Sequence, residues 1–174
     1  MNIFLLHKDY DISAQLHPKV LLPKMLLEHT QMLCTAARYH NPELNYKWLY
    51  KPVHKKHPCN LWLRLSKDNY QEMLDRTAAM WIEHKRRGGN DHKSIVEHNR
   101  FVRLYELSQY LRFPDRPKTL YHTAFNPVSG LREFAYVEGW MGSDKQVYEL
   151  YRFYILTKPY ITLEEQIKVI NYME

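Results

Sequence analysis

Apolar residues in this chain recur at the spacing of a helix and nowhere in the strict alternation of a half-buried strand. The clearest case is Lys67 to Arg87, where Tyr70, Met73, Leu74, Ala78, Trp81 and Ile82 fall on one face. Ser66 stands before it as an N-cap, Lys85, Arg86 and Arg87 occupy its last turn, and Gly88 follows as a C-cap. A stripe of this length must be buried against other helices, which makes the expected class all-α.

The remaining segments are read in the same way. Asn2 to Leu6 is a short apolar run read as extended, and Asp9 or Asp11 can cap the helix after it. Asp11 to Arg38 reads as helix interrupted near Pro18 and Pro23, with Leu22, Met25, Leu26, Met32, Leu33 and Ala36 on one stripe. A proline does least damage in a first turn, where no amide donor is needed. His40 to Pro58 is polar and rich in tyrosine and lysine, so it reads as a long loop, followed by a short helix from Pro58 to Leu65. Ser94 to Leu111 is expected to be one helix, and Phe113 to Gly142 a second irregular stretch. Ser143 would cap a helix from Asp144 to Thr157, and Thr162 with Glu165 makes a capping box for a last short one. The expectation is a single helical domain over residues 1–174, an irregular bundle of about five helices with two long irregular connections.

Charge is unevenly spread. Through Lys118 there are 20 basic and 12 acidic residues, and from Thr119 onward 5 and 7. A basic body of this kind suggests a face that meets a polyanion or a phosphate, although cations can also be plain solvated surface. The densest run is Lys51 to Cys59, with three lysines, two histidines and a cysteine. Lysines there can supply point charge to a phosphate and histidines can donate to it. His54, His57 and Cys59 as zinc ligands would match no common finger spacing, so no metal is expected. The second run, His84 to Lys93, has cations that a helix C-terminus already explains, except for His92 and Lys93 beyond the glycines. Tyr148 to Tyr154 is an aromatic cluster with one arginine, suited to core packing or to base stacking. His29 sits on an apolar stripe and reads as a core histidine.

Several classes find no support. No phosphate-binding glycine loop, dinucleotide fingerprint, zinc-protease motif or nucleophile elbow occurs, so no cofactor is implied and no motif establishes an enzyme. Cys34 and Cys59 make no disulfide framework, the N-terminal apolar run is too short for a signal peptide, and no run approaches the ~20 apolar residues of a membrane span. The expected compartment is the cytoplasm, with no membrane partner.

Four segments carry a family resemblance: AQLHPKVLLPKMLLE, HPCNLWLRLSKDNYQEML, KRRGGNDHKS and ELYRFYILTK, in that order. Together they resemble a group of small phage-encoded proteins and, through these, the phage pyrimidine-dimer DNA glycosylases of the endonuclease V type. The resemblance implies a small helical domain that clasps and kinks DNA, acts on a base in the opened duplex, and works in an infected bacterial cell. It also implies an amine nucleophile at the chain start, Met1 or Asn2, assisted by a glutamate early in the first long helix. The glutamate position corresponds here to Leu21, Lys24 matches a neighbouring basic residue, and Glu28 lies nearly two turns beyond. Asn2 is bulkier than residues that usually permit removal of the initiator Met. The binding half of the pattern is therefore better preserved than the catalytic half.

The resulting expectation is a DNA-interacting protein that acts as a glycosylase on a damaged or modified pyrimidine. The alternative is a non-catalytic protein that holds a nucleotide or nucleotide-derived signal. The residues expected at phosphate or base are Gln15, Lys24, Lys56, His57, Arg64, His92 and Lys93, with Lys67 sharing the anion of Arg64. Tyr151, Arg152 and Tyr154 are expected to stack or clamp, and His17 to supply acid–base capacity near neutral pH.

Overall fold

The computed structural model describes residues 3–118 and 144–172. Met1, Asn2, Ser143 and most of the expected Phe113–Gly142 stretch lie outside the described residues. Within them the fold is all-α: α1 (Tyr10–Leu16), α2 (Leu21–His40), α3 (Pro58–Leu63), α4 (Lys67–Arg86), α5 (Lys93–Val96), α6 (Arg100–Ser108), α7 (Asp144–Leu156) and α8 (Leu163–Ile170). No strand occurs among the described residues.

The two 20-residue helices, α2 and α4, form the central pair. They run antiparallel: Tyr70 Oη donates to the Leu33 carbonyl at 3.4 Å, and Thr77 meets His29 a helical turn or two further along. α1 packs on α4, α3 on α2, α5 and α6 on α2, and α8 reaches α1 and α7. Caps set the boundaries as the chain's chemistry predicts. Asp9 accepts from the amides of Asp11 and Ile12, Ser66 from that of Asn69, and Thr162 with Glu165 forms the reciprocal capping box. Pro23 falls in the first turn of α2, where its missing amide costs nothing. Gly88 closes α4 at φ +76°, and a Cβ on Gly89 would collide with the His84 ring, so neither position suits another residue.

One expected helix is broken. Ser94 to Leu111 divides into α5, a 3-10 turn at Glu97–Asn99, and α6, with His98 and Asn99 in the left-handed region. Arg100 holds the break. Its Nη1 donates to the carbonyls of Lys93 (3.3 Å) and Ser94 (3.0 Å), its Nε to that of Trp48 (2.7 Å), and its Nη2 to Glu97 (3.0 Å). The Lys93 carbonyl also accepts from the Glu97 amide, so α5 keeps its last helical bond while Arg100 takes up the Ser94 carbonyl beside it.

Residues 3–6, outside any helix, pass through the core with all four side chains buried. Phe4 lies edge-on to Tyr151 and stacked on Tyr154. Arg152 donates from Nε to the Leu6 carbonyl at 2.6 Å and from Nη1 to the Tyr172 carbonyl. This corrects the expectation for α7. Tyr151 and Arg152 are buried, and with Tyr154 they clamp the N-terminal segment rather than present a stacking surface.

His17 also differs from its expected place. It caps the C-terminus of α1 inside the core, with Nδ1 2.7 Å from the Ser13 carbonyl and Nε2 without a hydrogen-bond partner. Burial pushes it down to about 4. His29, against Thr77, is pushed down by burial to about 3. Both imidazoles are neutral at pH 7, so His17 is not an acid–base group near neutrality.

The two histidines make the fold sensitive to acid. Unfolded, each titrates near the ordinary 6.5; folded, each resists the proton down to about 4 or about 3. In that interval the unfolded chain binds more protons, so stability falls as pH drops, by roughly 1.4 kcal/mol per pH unit for each histidine. Urea unfolding followed from pH 7 to pH 4 should show this loss, and His29→Gln should remove about half of the slope. A flat profile would contradict the assignment.

Candidate functional site

The connection between α2 and α3 is built around three residues. Arg38, in the last turn of α2, gathers the backbone beyond it. Its Nε donates to the Tyr50 carbonyl (3.0 Å), Nη1 to that of Leu44 (2.7 Å), and Nη2 to those of Tyr46 (3.1 Å) and Leu49 (3.0 Å). Leu44 and Leu49 are buried beneath it. Asn60, fully buried, donates from Nδ2 to the carbonyls of Val53 and His54, which holds His54 at φ 44°. Arg64 donates to the carbonyls of Asn60 (2.9 Å) and Lys55 (2.6 Å). An irregular segment has no ladder for its carbonyls, and these side chains supply the missing donors.

With its backbone held from the inside, the connection turns its lysines outward. Lys47, Lys51, Lys55 and Lys56 are exposed, as is His54. From His40 to Ser66 there are five lysines and arginines and three histidines against one acidic residue, Glu43. Aromatic surface lies among them. Tyr39 is 58% exposed with the Arg64 guanidinium 4.2 Å from its ring centre. Tyr46 stacks on Trp48 at 5.6 Å, and Arg103 reaches the Trp48 ring from α6. Between α2 and the connection lies a cavity of about 280 Å³ with Arg38, Tyr39, Lys55 and Arg64 in its wall.

A second group lies at the start of α3. His57 caps that helix, its Nδ1 accepting from the Cys59 amide at 3.3 Å, which places the proton of the neutral ring on Nε2. Burial holds His57 below its ordinary value, and the Glu28 carboxylate opposes that shift. Lys24 Nζ stands 4.0 Å from the Glu28 carboxylate, one turn away on α2. Lys24 and Glu28 pair one turn apart on α2, and because α3 packs on α2 the Glu28 charge is near enough to act on His57. Glu28, passed over in the sequence because it misses the family's spacing, is the carboxylate that the fold brings to this histidine.

The other expected residues are placed as follows. Lys56 and Arg64 belong to the α2–α3 connection, and Lys67 is exposed at the start of α4. His92 caps α5, its Nδ1 2.7 Å from Ser94 Oγ and its ring 6.1 Å from that of His84. Lys93 reaches Glu97 at 3.9 Å. The rest of that basic run is internally paired: Lys85 with Asp91, and Arg86 and Arg87 with Glu83. α5 adjoins the connection through Arg100, which bridges the carbonyls of Lys93 and Trp48. Gln15 lies elsewhere. It lines a cavity of about 490 Å³ beside Lys19, Arg87, Glu165 and Lys168. Eighteen residues of α2 separate that end of the bundle from Tyr39, about 27 Å at 1.5 Å per residue. The basic residues therefore do not all converge on one concavity: Arg38, Lys55 and Arg64 share the smaller cavity, and Lys47, Lys51 and Lys56 lie on the exposed surface of the same connection. Among the described residues no three histidine, cysteine or acidic side chains gather to hold a metal ion, and no helix is long and apolar enough to cross a membrane.

Comparison of the chain with protein-family models, with curated proteins and with solved structures finds no match in any of the three.

Because one guanidinium holds four carbonyls, Arg38→Ala should destabilise the fold by roughly 2–4 kcal/mol. Arg38→Lys should recover little of that, since a single ammonium cannot span the four acceptors. Urea midpoints of the two variants test this; an Arg38→Lys protein as stable as the wild type would contradict it.

Proposed function

We propose that this protein binds DNA through the α2–α3 connection and acts on a damaged or modified pyrimidine in the manner of a glycosylase. The observation that carries the reading is the composition and exposure of that connection: outward lysines and exposed aromatic rings, almost free of carboxylates, on a backbone held rigid from within. Lysines without fixed partners neutralise phosphates and release counterions, and exposed rings accept stacked bases. The resemblance to the pyrimidine-dimer glycosylases supports the same reading independently.

The chemistry falls to the group at the start of α3. In the reaction that the resemblance implies, a neutral amine attacks the sugar C1′ and the bond from C1′ to the base breaks. The base leaves with that electron pair and takes up one proton; the C1′–O4′ bond then opens with a second proton passing to O4′, and the amine nitrogen, having lost both protons, forms an imine with C1′. The Glu28 carboxylate is suited to accept a proton from the amine and return it to the departing base, and the neutral His57 ring can donate a hydrogen bond from Nε2 but no proton.

Borohydride reduces such an imine to a stable link, so trapping on duplex DNA that carries damaged or hypermodified pyrimidines reads out the reaction. A covalent adduct is expected with the wild type, and Glu28→Gln should retain binding in a gel-shift assay while losing at least 90% of the adduct. Binding without any adduct would remove the excision chemistry, and absence of both would overturn the proposal.

A further inference from the structure

We infer, on the basis of the DNA-binding reading above, that the cavity between α2 and the α2–α3 connection takes a single nucleotide unit, its phosphate among Arg38, Lys55 and Arg64 and its base against Tyr39. The volume, about 280 Å³, is on the scale of one mononucleotide and far too small for a duplex. Its described lining holds three cations and no carboxylate. Arg38 and Arg64 are half-buried, and their donors go to carbonyl oxygens. A carbonyl satisfies a guanidinium's geometry without cancelling its charge, so two fixed positive charges face the cavity from a region of reduced dielectric. Lys55 adds a third on a flexible stem at the exposed rim.

The rest of the lining fits the remainder of a nucleotide. Tyr39 is well exposed, and with the Arg64 guanidinium over its ring it forms a combined π and cationic platform of the kind on which bases stack. Pro42 and Pro52 close the sides with surface that has no amide donor. The larger cavity at the far end of the bundle differs: Glu164 and Glu165 sit in its wall beside the cations, which disfavours a phosphate.

The position gives the site a role. Lys55 in its wall stands two residues before His57 in the chain. A nucleotide held there would be a neighbour, within the strand, of the one that reaches His57 and Glu28. A free mononucleotide offers the same chemistry, and the two sources are separable by experiment.

Calorimetric titration with deoxyadenosine monophosphate, deoxyadenosine, inorganic phosphate and a four-residue deoxyadenosine oligonucleotide tests the inference. The monophosphate should bind at least tenfold more tightly than deoxyadenosine or phosphate. Lys55→Ala and Tyr39→Ala, both surface changes that leave the carbonyl clamps intact, should each weaken it at least fivefold, with Lys168→Ala, at the far cavity, within twofold of the wild type. An oligonucleotide that binds tighter than the monophosphate assigns the site to a strand, and equal affinity assigns it to a free nucleotide. No binding at millimolar monophosphate, or binding indifferent to both substitutions, would overturn the inference. Duplex binding measured alongside separates the two failures: if it persists, only the pocket falls, and if it is also absent, the DNA-binding reading falls with it.

Discussion

The architecture depends on guanidinium groups bound to backbone carbonyls. Arg38 gathers four carbonyls of the α2–α3 connection, Arg64 two more, and Arg100 ties that connection to α5. Arg87 closes the end of α1 through the carbonyls of Gln15 and His17, and Arg152 holds the N-terminal segment at Leu6. With 5 glycines in 174 residues, the chain has few positions at which its irregular segments can turn back on themselves cheaply. Planar side chains with five donors in a fixed fork supply an alternative: they satisfy carbonyls that no helix or strand reaches.

This divides the cations by type. The arginines that join separate segments are largely committed to the interior. The lysines of the α2–α3 connection point outward, where their charge is available to a ligand. Net charge alone therefore overstates the basic surface, and its location matters more. The run at the end of α4 is as basic in sequence as the connection, yet Glu83 and Asp91 engage most of it. The connection has only Glu43 to oppose it. Arginine at the carbonyls and lysine at the surface combine rigidity with free charge in one segment, as a nucleic-acid interface requires.

What the sequence reveals follows how local each determinant is. α4 is legible because its stripe is long and both of its caps are contiguous with it. The capping box of α8 and the proline in the first turn of α2 are legible for the same reason. The break between α5 and α6 is not, because it depends on Arg100 meeting a carbonyl 52 residues away at Trp48. The burial of Tyr151 and Arg152 is hidden likewise, since it requires residues 3–6 to thread beneath them. His17 reads as an acid–base group near neutral pH, but the packing of α1 on α4 draws it into the core. At the site, the character of the α2–α3 connection is visible as composition. Its clamp at Arg38 looks like an ordinary cation completing a helix end, and the approach of Glu28 to His57 exists only once α3 packs on α2.

The central claim is that the outward lysines of this connection, and not the chain's overall charge, engage DNA. Its most direct test is the salt dependence of duplex affinity for the wild type, for Lys47→Ala/Lys51→Ala/Lys56→Ala, and for a variant that lacks Lys8, Lys19 and Lys168 instead. The first triple variant should lower the slope of log affinity against log salt by about 2–3, near 0.9 for each phosphate that is no longer neutralised. The second should leave it nearly unchanged. Equal reductions in the two variants would contradict the account.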